Sequence, residues 1–114
     1  MTLAPLYLDT GFWFAAIVPR DARHAECRAA LEAAVRAGRP LVTTVLVVAE
    51  VHALLMGRAS AEVCARFLEV LDDPQVEVVY PDRQMVREAV LRWGREGVEL
   101  ARMVGRGVER GITQ

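Results

Sequence analysis

Two acidic residues stand where a carboxylate is chemically conspicuous. Glu50 is the one acid between Val45 and Met56, an apolar stretch otherwise broken only by the imidazole of His52. At helical spacing it shares a face with Val47, Val51 and Leu54. Desolvating an ionised carboxylate is costly unless its charge is compensated. An acid in that position is therefore at a helix edge, paired with an arginine, or serving as a metal ligand or catalytic group. Asp9 follows the apolar run Leu6-Tyr7-Leu8, which reads as a short buried strand. In open α/β sheets ligands bind beyond the carboxyl ends of strands, which is where Asp9 falls. Aspartate is equally a favoured helix cap, and a helix from Phe12 to about Val18, stopped by Pro19, follows it. Forty-one positions separate the two acids, so only folding brings them together.

The elements that must position them are legible from caps and periodicity. Thr43 and Thr44 offer an N-cap for a helix running to about Arg58, with Leu41-Val42 as a brief strand before it. Asp21 is the expected cap of a helix from Ala22 to about Ala37, closed by Gly38 and Pro40; His24 in its first turn reads as packing or capping. Ser60 caps a helix through Leu71, with Val63, Phe67, Leu68 and Leu71 on its buried side. Asp72-Asp73-Pro74 reads as a turn. Val76-Glu77-Val78-Val79-Tyr80 has strand composition, and Pro81-Asp82 opens a helix whose inner side carries Met85, Val86, Ala89, Val90 and Trp93. A last helix is expected from Val98 to about Val108, where Arg102, Arg106 and Arg110 fall at i, i+4 and i+8 as a solvated basic edge. Strands alternating with helices imply an α/β fold with a parallel sheet covered on both faces.

Composition bounds the function. One domain spanning residues 1–114 is long enough to bury roughly two-thirds of its unfolded surface. Apolar residues at 54% and charged residues at 25% fit a globular chain and exclude a disordered one. No apolar run reaches the ~18–20 residues of a membrane span, and Met1–Pro5 lacks the basic and apolar regions of a secretion signal, so the cytoplasm is the expected compartment. Cys27 and Cys64 lack metal-ligand spacing and read as buried thiols. A net charge of −1 provides no bulk attraction to nucleic acid, although all fourteen basic residues are arginine.

The segments Leu6-Tyr7-Leu8-Asp9-Thr10, Thr43-Thr44-Val45-Leu46-Val47-Val48-Ala49-Glu50 and Val76-Glu77-Val78-Val79-Tyr80 together resemble a PIN domain, in particular the VapC-type toxins of prokaryotic toxin–antitoxin pairs. The resemblance covers residues 6 to about 93. It implies a three-layer α/β/α domain with a central parallel sheet, and a cluster of three or four acids that holds Mg²⁺ or Mn²⁺ and cleaves RNA. Asp9 matches the family's first acid, Glu50 its helix glutamate, and Thr10 the small hydroxyl residue that supports the site. Glu99 is the nearest match to the third acid, with Glu96 behind it. Gly107–Thr113 looks like the approach to the family's final strand, which the chain, ending at Gln114, is expected to lack. The implied partners are an RNA substrate, a cognate antitoxin and a second copy of the chain, with Trp13 and Phe14 as candidates for the dimer face.

That chemistry suits those residues. Hydrolysing a phosphodiester brings two anions together, and a divalent cation screens the phosphate and lowers the pKa of bound water. Clustered carboxylates repel one another, which suits a metal site and not a core. Asp9, Glu50 and Glu99 are the expected metal-binding and catalytic acids, with Arg102 and Arg106 placed to contact RNA phosphate. The competing reading is a PIN-like dimerisation or antitoxin-binding module that lacks the full acid cluster. A response-regulator receiver is excluded by the absence of lysine, and an Asp-x-Asp phosphatase by Gly11 in the place of the second acid.

Overall fold

The computed structural model describes residues 3–113. The opening Met1-Thr2 and the closing Gln114, on which the expectations about a secretion signal and the end of the chain partly rest, lie outside the described residues. Chain order is β1 (Leu6–Tyr7), α1 (Thr10–Ile17), α2 (His24–Arg36), β2 (Leu41–Thr44), α3 (Val45–Arg58), α4 (Ala61–Val70), β3 (Val76–Val79), α5 (Arg83–Trp93) and α6 (Leu100–Thr113).

Among the described residues the sheet has three parallel strands in the order β1-β2-β3. Leu6 and Tyr7 stand opposite Leu41 and Val42, and Leu41–Thr44 opposite Val76–Val79. Successive strand residues face opposite sides. Leu6, Leu8, Leu41 and Val76 join Trp13, Val47, Val51, Leu55, Cys64 and Phe67 in the main core, which α1 to α4 cover. Trp13 packs edge-on against Phe67, ring centroids 5.4 Å apart. Tyr7 points to the other side, where α6 lies over β2 and packs against α5 through Ala89, Met103 and Val104. The result is the expected α/β/α layering.

Caps account for most boundaries. The Thr44 hydroxyl accepts from the Val47 N–H at 3.2 Å, Ser60 from Val63 at 3.2 Å and Asp82 from Met85 at 2.8 Å, each relieving an orphan donor of a first helical turn. Asp21 does otherwise than expected. Its carboxylate accepts from the Arg23 N–H at 2.8 Å and its carbonyl from His24, forming a local turn that delays α2 to His24. His24 Nδ1 then meets the Ala15 carbonyl at 2.8 Å, tying α2 to α1. Cys27 and Cys64 are buried free thiols.

Two expectations are corrected. Gly107–Thr113 does not approach a strand: it continues α6, which starts at Leu100 and runs to Thr113. The glycines there face open space and cost helix propensity only, whereas Met103 and Val104 supply buried apolar contact that holds the helix. Trp13 is not a dimer-face residue, being only 2% exposed, with its indole N–H directed at the Thr43 hydroxyl 3.4 Å away. That hydroxyl in turn donates to the Leu8 carbonyl at 2.9 Å. Burial of the indole and satisfaction of its one donor are met together.

Gly105 is where α6 meets the sheet. A Cβ there would overlap the Tyr7 hydroxyl, so only glycine permits this approach. Gly105→Ala is expected to destabilise by about 1–3 kcal/mol, the usual cost of overpacking, despite the gain in helix propensity. Urea unfolding should show a smaller penalty in a Tyr7→Phe background, where the first clashing atom is gone.

Candidate active site

β1 ends two residues before Asp9, and the Leu8 N–H donates to the Val42 carbonyl at 2.8 Å, so the first acid leaves the sheet at a fixed point. The Asp9 backbone is extended, and its Oδ1 accepts from the Phe12 N–H at 2.8 Å. The capping role and a role in a site are therefore compatible, since Oδ2 is the oxygen not engaged by this cap. β2 ends beside β1, and Thr44 caps α3 there, setting Glu50 in the second turn of that helix. Thr10, the first residue of α1, places its hydroxyl against the Glu50 carboxylate.

The third acid comes from the opposite layer. Gly97, with φ at +73°, adopts a left-handed conformation that turns the chain after α5. Glu99 follows, and its carbonyl accepts from Arg102 at 3.0 Å and Met103 at 3.1 Å, the first bonds of α6. From there the inward side of α6 carries Arg102, Gly105, Arg106 and Glu109 at helical spacing.

These elements enclose one open pocket of about 560 Å³, lined among others by Tyr7, Asp9, Thr10, Glu50, Glu99, Arg102, Arg106 and Glu109. The three acids expected from the sequence thus reach the same pocket from α1, α3 and α6. Glu96 is drawn away into a salt bridge with Arg106 Nη1 at 3.1 Å. Glu109 and Tyr7 are pocket residues that sequence reasoning missed. Glu109 sits in the segment expected to approach a strand; carrying the i+3/i+4 spacing of Arg102 and Arg106 one turn further would have found it. Arg23 also reaches the rim, donating to the Gly11 carbonyl at 3.2 Å.

Burial dominates the electrostatics, with the neighbouring acids adding to it. The Glu50 carboxyl is pushed above the usual carboxylate range, first by burial and then by Glu99, while Arg102 and the Thr10 hydroxyl pull the other way. The Tyr7 phenol is pushed up to about 12, first by burial; the nearby Thr44 hydroxyl opposes the shift and Asp9, Glu109 and Glu50 add to it. Tyr7 is therefore a neutral phenol at physiological pH. Its hydroxyl is buried, and Thr44 lies beside it without reaching hydrogen-bond geometry.

Among the described residues no three of His, Cys, Asp and Glu stand close enough together to hold an ion as they are. The donor chemistry nonetheless fits Mg²⁺ or Mn²⁺. The pocket lining offers oxygen donors, carboxylates and hydroxyls, without histidine or cysteine, and Mg²⁺ needs one or two direct carboxylates because it keeps several waters. Burial raises the Glu50 pKa, and Arg102 and the Thr10 hydroxyl offset that only in part.

That imbalance has a measurable consequence. A carboxyl group whose folded pKa lies above its unfolded value contributes stability below the unfolded pKa and loses it as pH rises through the folded one. Without divalent metal, Glu50→Gln should therefore raise the melting temperature at pH 8 and match the parent near pH 4. Thermal unfolding in EDTA across that range checks the sign.

The comparisons with known proteins agree with this architecture. No curated protein matches the chain. Among solved structures, the crystal structure of Mycobacterium tuberculosis VapC20, a toxin that cleaves the sarcin–ricin loop, superposes with a TM-score of 0.78 at 21% identity, covering 92% of this chain and 81% of that one. The family model described as the PIN domain matches residues 6–101, from the first strand to the second residue of α6 and therefore through Asp9, Glu50 and Glu99. On that match the chain belongs to the PIN domain family.

Proposed function

We propose that this protein is a metal-dependent ribonuclease of the VapC toxin type, which cleaves RNA phosphodiester bonds at the pocket between α1, α3 and α6. The observation that carries the reading is the convergence of Asp9, Glu50 and Glu99 from distant parts of the chain on one open pocket, with Arg102 and Arg106 on its wall. Acids crowded this way are unfavourable unless a cation and an anionic substrate complete the charge balance.

In this reading Asp9 is a direct ligand through the oxygen its helix cap leaves available. Glu50 binds directly or through water, held by Thr10 and partly offset by Arg102. Glu99 is a weaker third donor at the mouth of α6, and Glu109 adds negative charge from the same helix. A bound Mg²⁺ or Mn²⁺ would supply Lewis-acid polarisation of the phosphate and a lowered pKa for water. The guanidinium groups of Arg102 and Arg106 face the phosphate oxygens and fix the strand's register. Tyr7, being neutral, is no proton acceptor; it fills the floor beneath Gly105.

As part of the same proposal, the protein pairs with a cognate antitoxin and with a second copy of the chain, and acts in the cytoplasm. No helix among the described residues is long and apolar enough to cross a membrane. With Trp13 in the core, Phe14, partly buried with the Arg58 guanidinium over its ring, remains a candidate for the dimer face.

One observation favours a second reading, a PIN domain that serves as a dimerisation or antitoxin-binding module. The acids share a pocket without forming a three-donor cluster. Titrating Mn²⁺ by calorimetry and assaying RNA cleavage separates the two. The nuclease binds the ion and cuts, and Asp9→Asn or Glu50→Gln lowers cleavage by roughly 100-fold or more, beyond the 10–100-fold typical of an outer-shell loss. The folded signal stays intact in both variants. Absence of Mn²⁺ binding at millimolar concentration, or equal cleavage by the parent and both variants, establishes the module instead.

A further inference from the structure

The basic edge of α6 is not simply solvated. The guanidinium carbons of Arg92, Arg106 and Arg110 lie 5.7, 5.8 and 5.4 Å from the centroid of the Trp93 ring. Trp93 is the last residue of α5, and its ring is partly buried against Ala89, Met103 and Val104. Three cations gathered on one indole repel each other, and the ring's negative face is what holds them. Arg106 belongs at once to this cluster and to the wall of the acidic pocket, and Glu96 fixes its Nη1. The cluster is therefore continuous with the pocket, and a chain leaving the pocket past Arg106 meets Arg110 next.

We propose that Trp93 with Arg92, Arg106 and Arg110 forms an RNA subsite that grips the phosphates of single-stranded RNA flanking the bond to be cut. The inference rests on the nuclease reading for its substrate, and adds the surface on which that substrate lies. Guanidinium groups stacked on an aromatic ring are held in plane, so fewer rotamers are lost when their outward N–H groups meet phosphate oxygens. The protein's net charge of −1 makes such a local concentration necessary, because the whole-molecule field does not attract a polyanion. Trp93 acts as a positioning residue, and Arg106 and Arg110 as the phosphate contacts nearest the pocket.

The test measures binding of a fluorescein-labelled 12-nucleotide single-stranded RNA by anisotropy, in EDTA, with the 114-residue chain carrying Glu50→Gln to prevent cutting. In that background Arg110→Gln should weaken binding about three- to tenfold and reduce the slope of log K against log salt by about 0.7, the loss of one phosphate contact to a single strand. Trp93→Leu keeps an apolar side chain against α6 while removing the π face, and should lower the salt slope without changing the number of charges. Trp93→Phe should restore part of it. Arg36→Gln, which removes the same charge from α2 on the far face of the sheet, should bind as the parent does. Unchanged affinity and slope for Arg110→Gln and Trp93→Leu, or an equal loss in Arg36→Gln, overturns the subsite. Cleavage by the parent chain with Mn²⁺ is scored separately. If it cuts RNA while the Trp93 and Arg110 variants bind normally, the subsite falls and the nuclease stands; if those variants lose binding and the parent never cuts, the nuclease falls and the subsite stands.

Discussion

The pairing of β1 with β2 is the constraint on which the site depends. β1 is only two residues long, yet its register opposite Leu41 and Val42 places Asp9 and Thr44 at adjacent strand ends. α1 and α3 then start side by side, and Thr10 on one meets Glu50 on the other. So short a strand cannot hold its register by ladder bonds alone. Leu6 and Leu8 are anchored in the main core, and the Thr43 hydroxyl bridges the Leu8 carbonyl towards the Trp13 indole on the same side. A slip of one residue would send Leu6 and Leu8 towards α6 and Tyr7 into the core. The same packing that buries the leucines therefore aims the first acid.

The second layer completes what the first begins. α6 crosses the sheet closely enough that Gly105 sits against the Tyr7 hydroxyl, and this approach brings Glu99, Arg102, Arg106 and Glu109 over the strand ends. α5 holds α6 through Ala89, Met103 and Val104, and Trp93 gathers arginines from both helices. The α5–α6 pair thus contributes both an acid for the pocket and the basic surface beside it. The close approach leaves a buried hydroxyl without a partner among the described residues, a cost that locates this contact as a place where packing was favoured over hydrogen bonding.

Charge is distributed by sign within a few turns of helix. The pocket is lined by acids, and burial there, with Glu99 adding to it, raises the Glu50 pKa, whereas the surface past Arg106 is cationic and organised by one indole. A nearly neutral protein in this way presents an acidic pocket and a cationic surface next to each other. Arg106 stands at the boundary, held by Glu96 on one side and facing the pocket on the other.

By itself, the sequence determined the elements and their order, because caps and apolar periodicity act within a few residues: Thr44, Ser60 and Asp82 cap where expected, and the strands are short apolar runs. It also marked Asp9 and Glu50, each conspicuous against its immediate neighbours. Tertiary structure decided the rest. The Asp21 turn delayed α2, and burial moved Trp13 from a proposed interface to the core. Contact with α5 and the sheet kept residues 107–113 helical despite their glycines. Glu99 and Glu109 became pocket residues only because α6 crosses the sheet with Gly105 against Tyr7, and Trp93 became the centre of an arginine cluster only because α5 and α6 pack side by side. Interactions between residues far apart in the chain leave no local pattern, so the proximity of these groups was visible only once the helices were in place.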